Sequence, residues 1–450
     1  MSEGRRWFGT DGVRGCVGKG PMTPKFALKL GWAAARVLRP EGGGVAVIGK
    51  DTRLSGYMFE SALEAGFAAA GMNIRLLGPL PTPAIAQITR SSDAAVGVVI
   101  SASHNPSEDN GIKLFGSDGR KLPDSIELEI EKMLAIPMKT VAGELIGQAQ
   151  RMEDARDRYV SFCKTTLPAT ASFAGLKIVL DCANGADYAV APRVFRELGA
   201  TVVAVAAQPD GHNINDGCGS THPEHIREAV CSHGADYGFA FDGDGDRVVA
   251  ADSEGRIYGG DELLYVIAME RAARQALQGP VVGTVMSNLG LEQALARAGI
   301  GFERTQVGDR YVLERLSRTG GILGGENSGH IICLDCASTG DGIVAALAVT
   351  HRIVTSRTAL VELCRPLTMR PQVLLDAPLN GRGRREVMND VALAQAVAEI
   401  EARLGENGRV LLRPSGTQPL IRVMVEGADK TVAMACAEEL RAAVETAATR

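Results

Sequence analysis

The 450-residue sequence predicts an α/β protein: three α/β domains with mixed, mostly parallel sheets around a cleft, then a smaller C-terminal α+β domain. Three observations predict it. Short β-branched runs such as Val45–Ile48, Val98–Ile100 and Lys177–Leu180 alternate with helical stretches, the pattern of strands joined by crossover helices. Abundant glycine (53 residues) against 4% aromatics favours many tight strand–helix turns. The chain also exceeds a single core, and roughly 100–200 residues per domain implies three or four.

Hydrophobic residues at 45% and charged residues at 22% are ordinary for a soluble globular chain. A net charge of −5 argues against a general nucleic-acid binder, which needs a basic face. A local arginine cluster can still hold a small anion. The nine cysteines are odd in number and scattered, and with no signal-peptide pattern at the N-terminus they are expected as reduced thiols of a cytoplasmic protein. Cys333-Leu-Asp-Cys336 stands alone, so neither zinc nor redox chemistry is expected from it. No apolar run reaches the roughly 18 residues of a membrane span, and no membrane partner is expected.

The first domain (1–152) opens with the glycine-rich Trp7–Gly15, a bent segment able to present Arg14. A helix over Lys25–Leu38, a strand over Val45–Ile48, a helix over Phe59–Ala70 and a strand over Ile74–Leu77 follow. Gly44 to Lys50 has Walker A spacing, but its interior is strand-like and Asp51 replaces the required hydroxyl, so it is no P-loop. The run Val98–Ile100 then breaks into Ser101-Ala102-Ser103-His104-Asn105-Pro106, read as a loop continuing through Lys113 to Gly116. A serine is a weak nucleophile and needs a base, a cation or a metal beside it.

The second domain (153–252) holds a helix around Met152–Leu167 and strands Lys177–Leu180, Val202–Ala206 and Tyr237–Phe241. The last strand runs into Asp242-Gly243-Asp244-Gly245-Asp246-Arg247. Three alternating aspartates are costly to gather unless a cation neutralises them, and hard oxygen donors favour Mg²⁺. An EF-hand is excluded because its sixth and twelfth positions would be Arg247 and Ser253. The bland alternative is a solvated acidic turn.

The third domain (253–365) carries helices over Glu262–Leu277 and Leu291–Ala298, strands Val281–Met286 and Gly321–Leu323, and a helix capped by Val307-Gly308-Asp309. Its Gly325-Glu326-Asn327-Ser328-Gly329-His330 offers the directional groups that sugar hydroxyls or an amine need. A linker at Arg365–Pro371 precedes the last domain (372–450), with helices over Asp390–Leu404 and Lys430–Ala447 and strands Arg409–Leu412 and Leu420–Val425. Between those strands Arg413, Ser415, Gly416 and Thr417, with Arg422 nearby, make a phosphate cradle; a capped hairpin turn is the plainer reading.

In this order and spacing the four loops resemble the α-D-phosphohexomutases over essentially the whole chain. Phe8–Gly15 and Asp109–Gly116 look most like the bacterial branch acting on glucosamine phosphates. Asn327 stands where that branch usually has Gln, one methylene longer, and Gln418 where Glu is usual. The resemblance implies that Ser103 carries a phosphoryl group and that one Mg²⁺ sits on Asp242, Asp244, Asp246 and a Ser103 phosphate oxygen. Glu326, Asn327 and Ser328 would meet the sugar, and Arg413, Ser415, Gly416, Thr417 and Arg422 its phosphate. Lys113 and His330 are the candidates for proton transfer, with Arg14 and Arg247 steadying charge; His104 is read as shaping the loop.

The implied reaction is an isomerisation of glucosamine 6-phosphate and glucosamine 1-phosphate through glucosamine 1,6-bisphosphate, which also serves as activator. It would supply amino-sugar nucleotides for cell-wall synthesis. A mobile last domain would let the intermediate turn around, and a homodimer is left open. The rival readings are a mutase of glucose or mannose phosphates, a silent sugar-phosphate sensor and a metal-dependent phosphatase.

Overall fold

The computed structural model describes residues 6–9, 11–415 and 418–449. Its chain divides into two compact units, Met1–Val282 with Thr305–Cys364, and Gly283–Arg304 with Arg365–Arg450. The second unit therefore takes a segment from the middle of the sequence.

The first sheet contains β1 (Val13–Cys16), β2 (Val45–Lys50), β3 (Asn73–Pro79), β4 (Val96–Ile100), β5 (Asp109–Gly116) and β6 (Ala149–Arg151), in the spatial order β1-β5-β4-β2-β3-β6. Its parallel strands β4 and β2 read as near-continuous apolar runs because helices cover both faces, while β3, parallel to β2, carries Asn73 and Arg75. The helix Pro24–Leu38 starts where Thr23 accepts the Phe26 N–H at 3.3 Å and proline occupies its first turn. One expectation is corrected here: Asp109–Gly116 is not a continuation of the serine loop but strand β5, antiparallel to β4 with Val99 opposite Lys113. Its other edge pairs with β1, so Asn110 and Lys113 are buried in the middle of a ladder.

The second sheet holds β7 (Lys177–Asp181), β8 (Thr201–Val205), β9 (Tyr237–Phe241), β10 (Val248–Asp252) and β11 (Ile257–Tyr258), ordered β11-β10-β9-β7-β8. The third sheet includes β12 (Val281–Thr284), β13 (Phe302–Thr305), β14 (Leu323–Gly325) and β15 (Ile331–Cys333). Here β14 runs parallel to β12 at Val282–Gly324 and antiparallel to β15. In the second unit β16 (Gln372–Pro378), β17 (Arg409–Pro414) and β18 (Leu420–Glu426) form an antiparallel sheet ordered β16-β18-β17. Alternate residues of that sheet, Val373, Ala377, Ile421, Val423 and Val425, pack on the helices Val391–Leu404 and Lys430–Thr449.

Three of the loops singled out in the sequence are turns between antiparallel neighbours, β4 to β5, β9 to β10 and β14 to β15, and the fourth lies between antiparallel β17 and β18. A hairpin turn projects beyond the end of its sheet, so its side chains are free to face a ligand.

Candidate active site

The Ser103 loop is built from below. Ser101 Oγ accepts the Ser103 N–H at 2.9 Å and donates to Asp51, while Asp51 pairs with the fully buried Arg53. Arg53 Nη2 then donates to the Ser103 carbonyl at 3.1 Å and to the Asn105 carbonyl. Ser103 adopts a left-handed φ of 53°, which costs a residue with a Cβ about 1–2 kcal/mol. The conformation turns Oγ toward Asp242, to whose Oδ2 it donates at 2.6 Å. In the sequence Asp51 stood out only as the residue that breaks a P-loop pattern, and Arg53 was given no role. A carboxylate and a guanidinium at the C-terminal end of a buried strand were the available signal.

Asp242, Asp244 and Asp246 converge, with ligand atoms all within 4.8 Å of one another; among the described residues theirs is the one such cluster of acidic, His or Cys side chains. Gly245, at φ 73°, makes the curl between the second and third carboxylates. Burial, then the Asp246 and Asp244 charges, push the Asp242 carboxyl well above the usual range. Burial acts the same way on Asp244, but Lys113 Nζ at 2.8 Å and the Thr82 hydroxyl at 2.6 Å reverse it and hold that group low. Asp244 Oδ1 and Asp246 Oδ1 are buried with no hydrogen-bond partner. Converging carboxylate oxygens, two of them orphaned, fit a hard divalent cation such as Mg²⁺.

Lys113, 1% exposed, also lies 3.2 Å from Asp11 and 3.7 Å from Asp246. Burial opposes its charge, yet the three carboxylates win and raise its pKa. It reaches them only because β5 doubles back along β4. Asp11, absent from the predicted site, further pairs with Arg14 and Lys121. Its position in a bent glycine-rich segment left no periodic pattern to read.

Beside this cluster a cavity of about 390 Å³ is lined by Arg14, Ser103, Asp246 and Arg247, and by Asp309, Glu326–Ser328 and His330. Arg247 N–H donates to Asp242 Oδ1 at 3.1 Å, and Arg247 bridges to His330 through backbone pairing. His330 Nε2 lies 4.0 Å from both Asp246 and Asp309, and its Nδ1 is buried without a partner. Glu326 accepts the Gly308 N–H at 3.0 Å, which fixes its carboxylate at the cavity wall. His104 Nδ1 lies 3.4 Å from Ser103 Oγ. Burial, then Arg247 and Arg14, lower its pKa to about 4, so the ring is neutral at neutral pH.

In the second unit Arg413 and Arg422 face each other across β17 and β18. They share with Asp376, Leu374, Leu411 and Met424 an open sheet face over a cavity of about 290 Å³. Burial, then the neighbouring Arg422, depress the Arg413 pKa. Ser415 is buried and its Oγ accepts the Gln418 N–H at 3.2 Å. Gly416 and Thr417 lie outside the described residues.

Sequence-family models described as phosphoglucomutase/phosphomannomutase match the chain in four pieces: α/β/α domain I at residues 5–138, domain II at 157–255, domain III at 259–369 and the C-terminal domain at 378–443. A phosphoglucosamine mutase of Thioalkalivibrio sulfidiphilus is 57% identical over 445 residues, 99% of each chain. One of Alkalilimnicola ehrlichii is 56% identical over 443 residues, 98% of each. The crystal structure of a phosphoglucomutase/phosphomannomutase family protein from Burkholderia thailandensis superposes with a TM-score of 0.82, at 25% identity and 97% coverage of each chain. With a serine on a left-handed turn against three convergent carboxylates and relatives alike from end to end, the chain belongs to the phosphoglucomutase/phosphomannomutase family, the α-D-phosphohexomutases.

Proposed function

We propose that this chain interconverts glucosamine 6-phosphate and glucosamine 1-phosphate through a phosphoserine at Ser103. The observation that carries the reading is the Ser103 hydroxyl held 2.6 Å from Asp242, within a trio of carboxylates beside a polar cavity. The amino-sugar substrate is supported by the phosphoglucosamine mutases of 54–57% identity that match nearly the whole chain.

In the forward half-reaction the sugar O1 attacks the phosphorus on Ser103. The O1–P bond forms, the P–Oγ bond breaks, the O1 proton passes to a base and Oγ takes a proton from an acid; Lys113 and His330 are the candidates for these transfers, with Lys113, kept protonated by its three carboxylate neighbours, suited to the acid's part. The product is glucosamine 1,6-bisphosphate, proposed also as the priming activator. In the return step Oγ gives its proton back to the acid's partner form and attacks the phosphorus on O6, the P–O6 bond breaks and O6 takes the proton held by the base. Phosphoryl transfer asks the protein mainly for position and positive charge. Arg14 and Arg247 supply that charge at the cavity wall, while Glu326, Asn327 and Ser328 orient sugar hydroxyls. Asp242, Asp244 and Asp246 would hold Mg²⁺, which when bound withdraws charge from the phosphoryl oxygens. Arg413, Ser415, Gly416, Thr417 and Arg422 are assigned the phosphate that is not transferred.

Cytoplasmic operation and a homodimer belong to the same proposal. No helix among the described residues is long and apolar enough to cross a membrane.

The test is formation of glucosamine 1-phosphate from glucosamine 6-phosphate with Mg²⁺ and catalytic bisphosphate. Ser103→Ala should lose at least about 10³-fold in kcat. Faster turnover of glucose or mannose 6-phosphate would reassign the substrate, net release of phosphate would make the chain a phosphatase, and an active Ser103→Ala would remove the phosphoserine.

A further inference from the structure

We propose that Asn215 is a positioning residue for phosphoryl transfer: its side-chain amide holds the Ser103 turn in the conformation that points Oγ at the metal loop. Asn215 lies outside every loop singled out above, on the connection between β8 and the helix Pro223–His233. Its Nδ2 donates to the Ser103 carbonyl at 2.9 Å and to the Asn105 carbonyl at 3.1 Å. These are the two carbonyls that Arg53 grips, so each receives a donor from the first sheet's own loop and another from the second sheet's.

Asn215 is itself constrained. It is 7% exposed, its φ is 60°, and its backbone N–H donates to the Ala183 carbonyl at 2.9 Å in the turn after β7. A left-handed backbone is tolerated by Asn better than by most residues carrying a Cβ. The amide also abuts the metal loop: a Cβ added at Gly243 would fall 2.6 Å from the Ser103 carbonyl and 2.7 Å from Asn215 Nδ2. Serine turn, amide and metal loop thus meet at one point with no room for a methyl group.

Two consequences follow from donor chemistry. Carbonyl oxygens require an N–H or O–H opposite them, so an isosteric carboxylate at position 215 would repel both. The carbonyls sit on either side of His104, so releasing them lets the serine turn relax and Oγ drift. A displacement near 1 Å costs about 10²-fold in rate when reacting atoms must be aligned.

The inference rests on the phosphoserine reading, and Ser103→Ala is run beside it to separate the two. In the full-length protein with saturating Mg²⁺, Asn215→Asp should lower kcat about 100-fold and Asn215→Ala about 10-fold, with KM for glucosamine 6-phosphate within about twofold. Asn215→Ser, which restores a short donor, should recover part of the Ala loss. A packing role would instead make truncation to Ala worse than the isosteric Asp, with kcat tracking melting temperature, and that order would overturn the proposal. Unchanged kcat in both variants would overturn it as well. Should Asn215→Asp fail to fold, the Ala–Ser pair decides, since equal kcat values for those two remove the donor role. An inactive Ser103→Ala alongside fully active Asn215 variants rejects this inference alone; an active Ser103→Ala rejects the phosphoserine reading beneath it.

Discussion

The serine and metal loops of the first unit and the arginine-bearing sheet face of the second are built to opposite rules. Ser103, Lys113, Asp242 and Asp244 are each at most 1% exposed and sit in a closed set of hydrogen bonds and ion pairs. Arg413 and Arg422 are half-buried on an open face, with Arg422 Nε 3.9 Å from Asp376. The contrast follows from the tasks proposed for them. Transfer of a phosphoryl group fails when atoms are misplaced by an ångström, so its residues are over-determined. Capture of a phosphate needs forked donors and charge, and side chains with freedom to adjust do it well.

The largest break in this contrast is expected at Asp244→Asn. The change removes a candidate ligand charge and leaves buried Lys113 with less compensation, so kcat should fall by about 10²-fold or more and the Mg²⁺ requirement should rise. A Mg²⁺ titration of both proteins measures it, and an unshifted midpoint would separate Asp244 from the metal. A smaller and different effect is expected on the open face. Arg413→Lys keeps the charge but loses the bidentate fork, so KM should rise about 10-fold with kcat nearly unchanged. If kcat fell instead, the two regions would not differ in the way described.

The least effect belongs to His225, which lies in neither region. Its Nδ1 meets buried Asp181 at 2.7 Å, and that hydrogen bond raises the imidazole pKa above 6.5. The stabilisation is complete below the unfolded value and fades as pH climbs through the higher folded one. Melting temperature should therefore decline somewhat more steeply above pH 6.5 in the native protein than in His225→Gln. Parallel profiles would show the pair to be thermodynamically silent.

The strands that deliver the loops were legible because they are pure apolar runs: Val96–Ile100 and Tyr237–Phe241 announce themselves, and the polar break after each marks a turn. The strand that leaves the serine loop was harder. Asp109–Gly116 carries Asn110 and Lys113 at positions that look exposed, and nothing in a linear pattern says that these side chains are buried. For the same reason Lys113 was found as a residue type but placed on a loop. The network beneath Ser103 was unreadable for a different cause, since Asp51 and Arg53 touch residues about 50 positions away and Asn215 more than 100. Hydrogen bonds at such separations leave no period in the sequence.

The second unit's split descent has a consequence for how the chain is made. Buried Glu426 accepts the Leu289 N–H at 3.1 Å, Asn288 Nδ2 donates to the Arg370 carbonyl at 2.9 Å, and Gln293 Nε2 to the Glu406 carbonyl at 2.7 Å. The segment Gly283–Arg304 therefore leaves the ribosome before any residue of Arg365–Arg450 exists to receive it. At about 5–20 residues per second it waits roughly 6–24 s for Glu426 to be made. During translation the Leu289 N–H and the Gln293 side chain meet their Glu426 and Glu406 partners only after those residues are made.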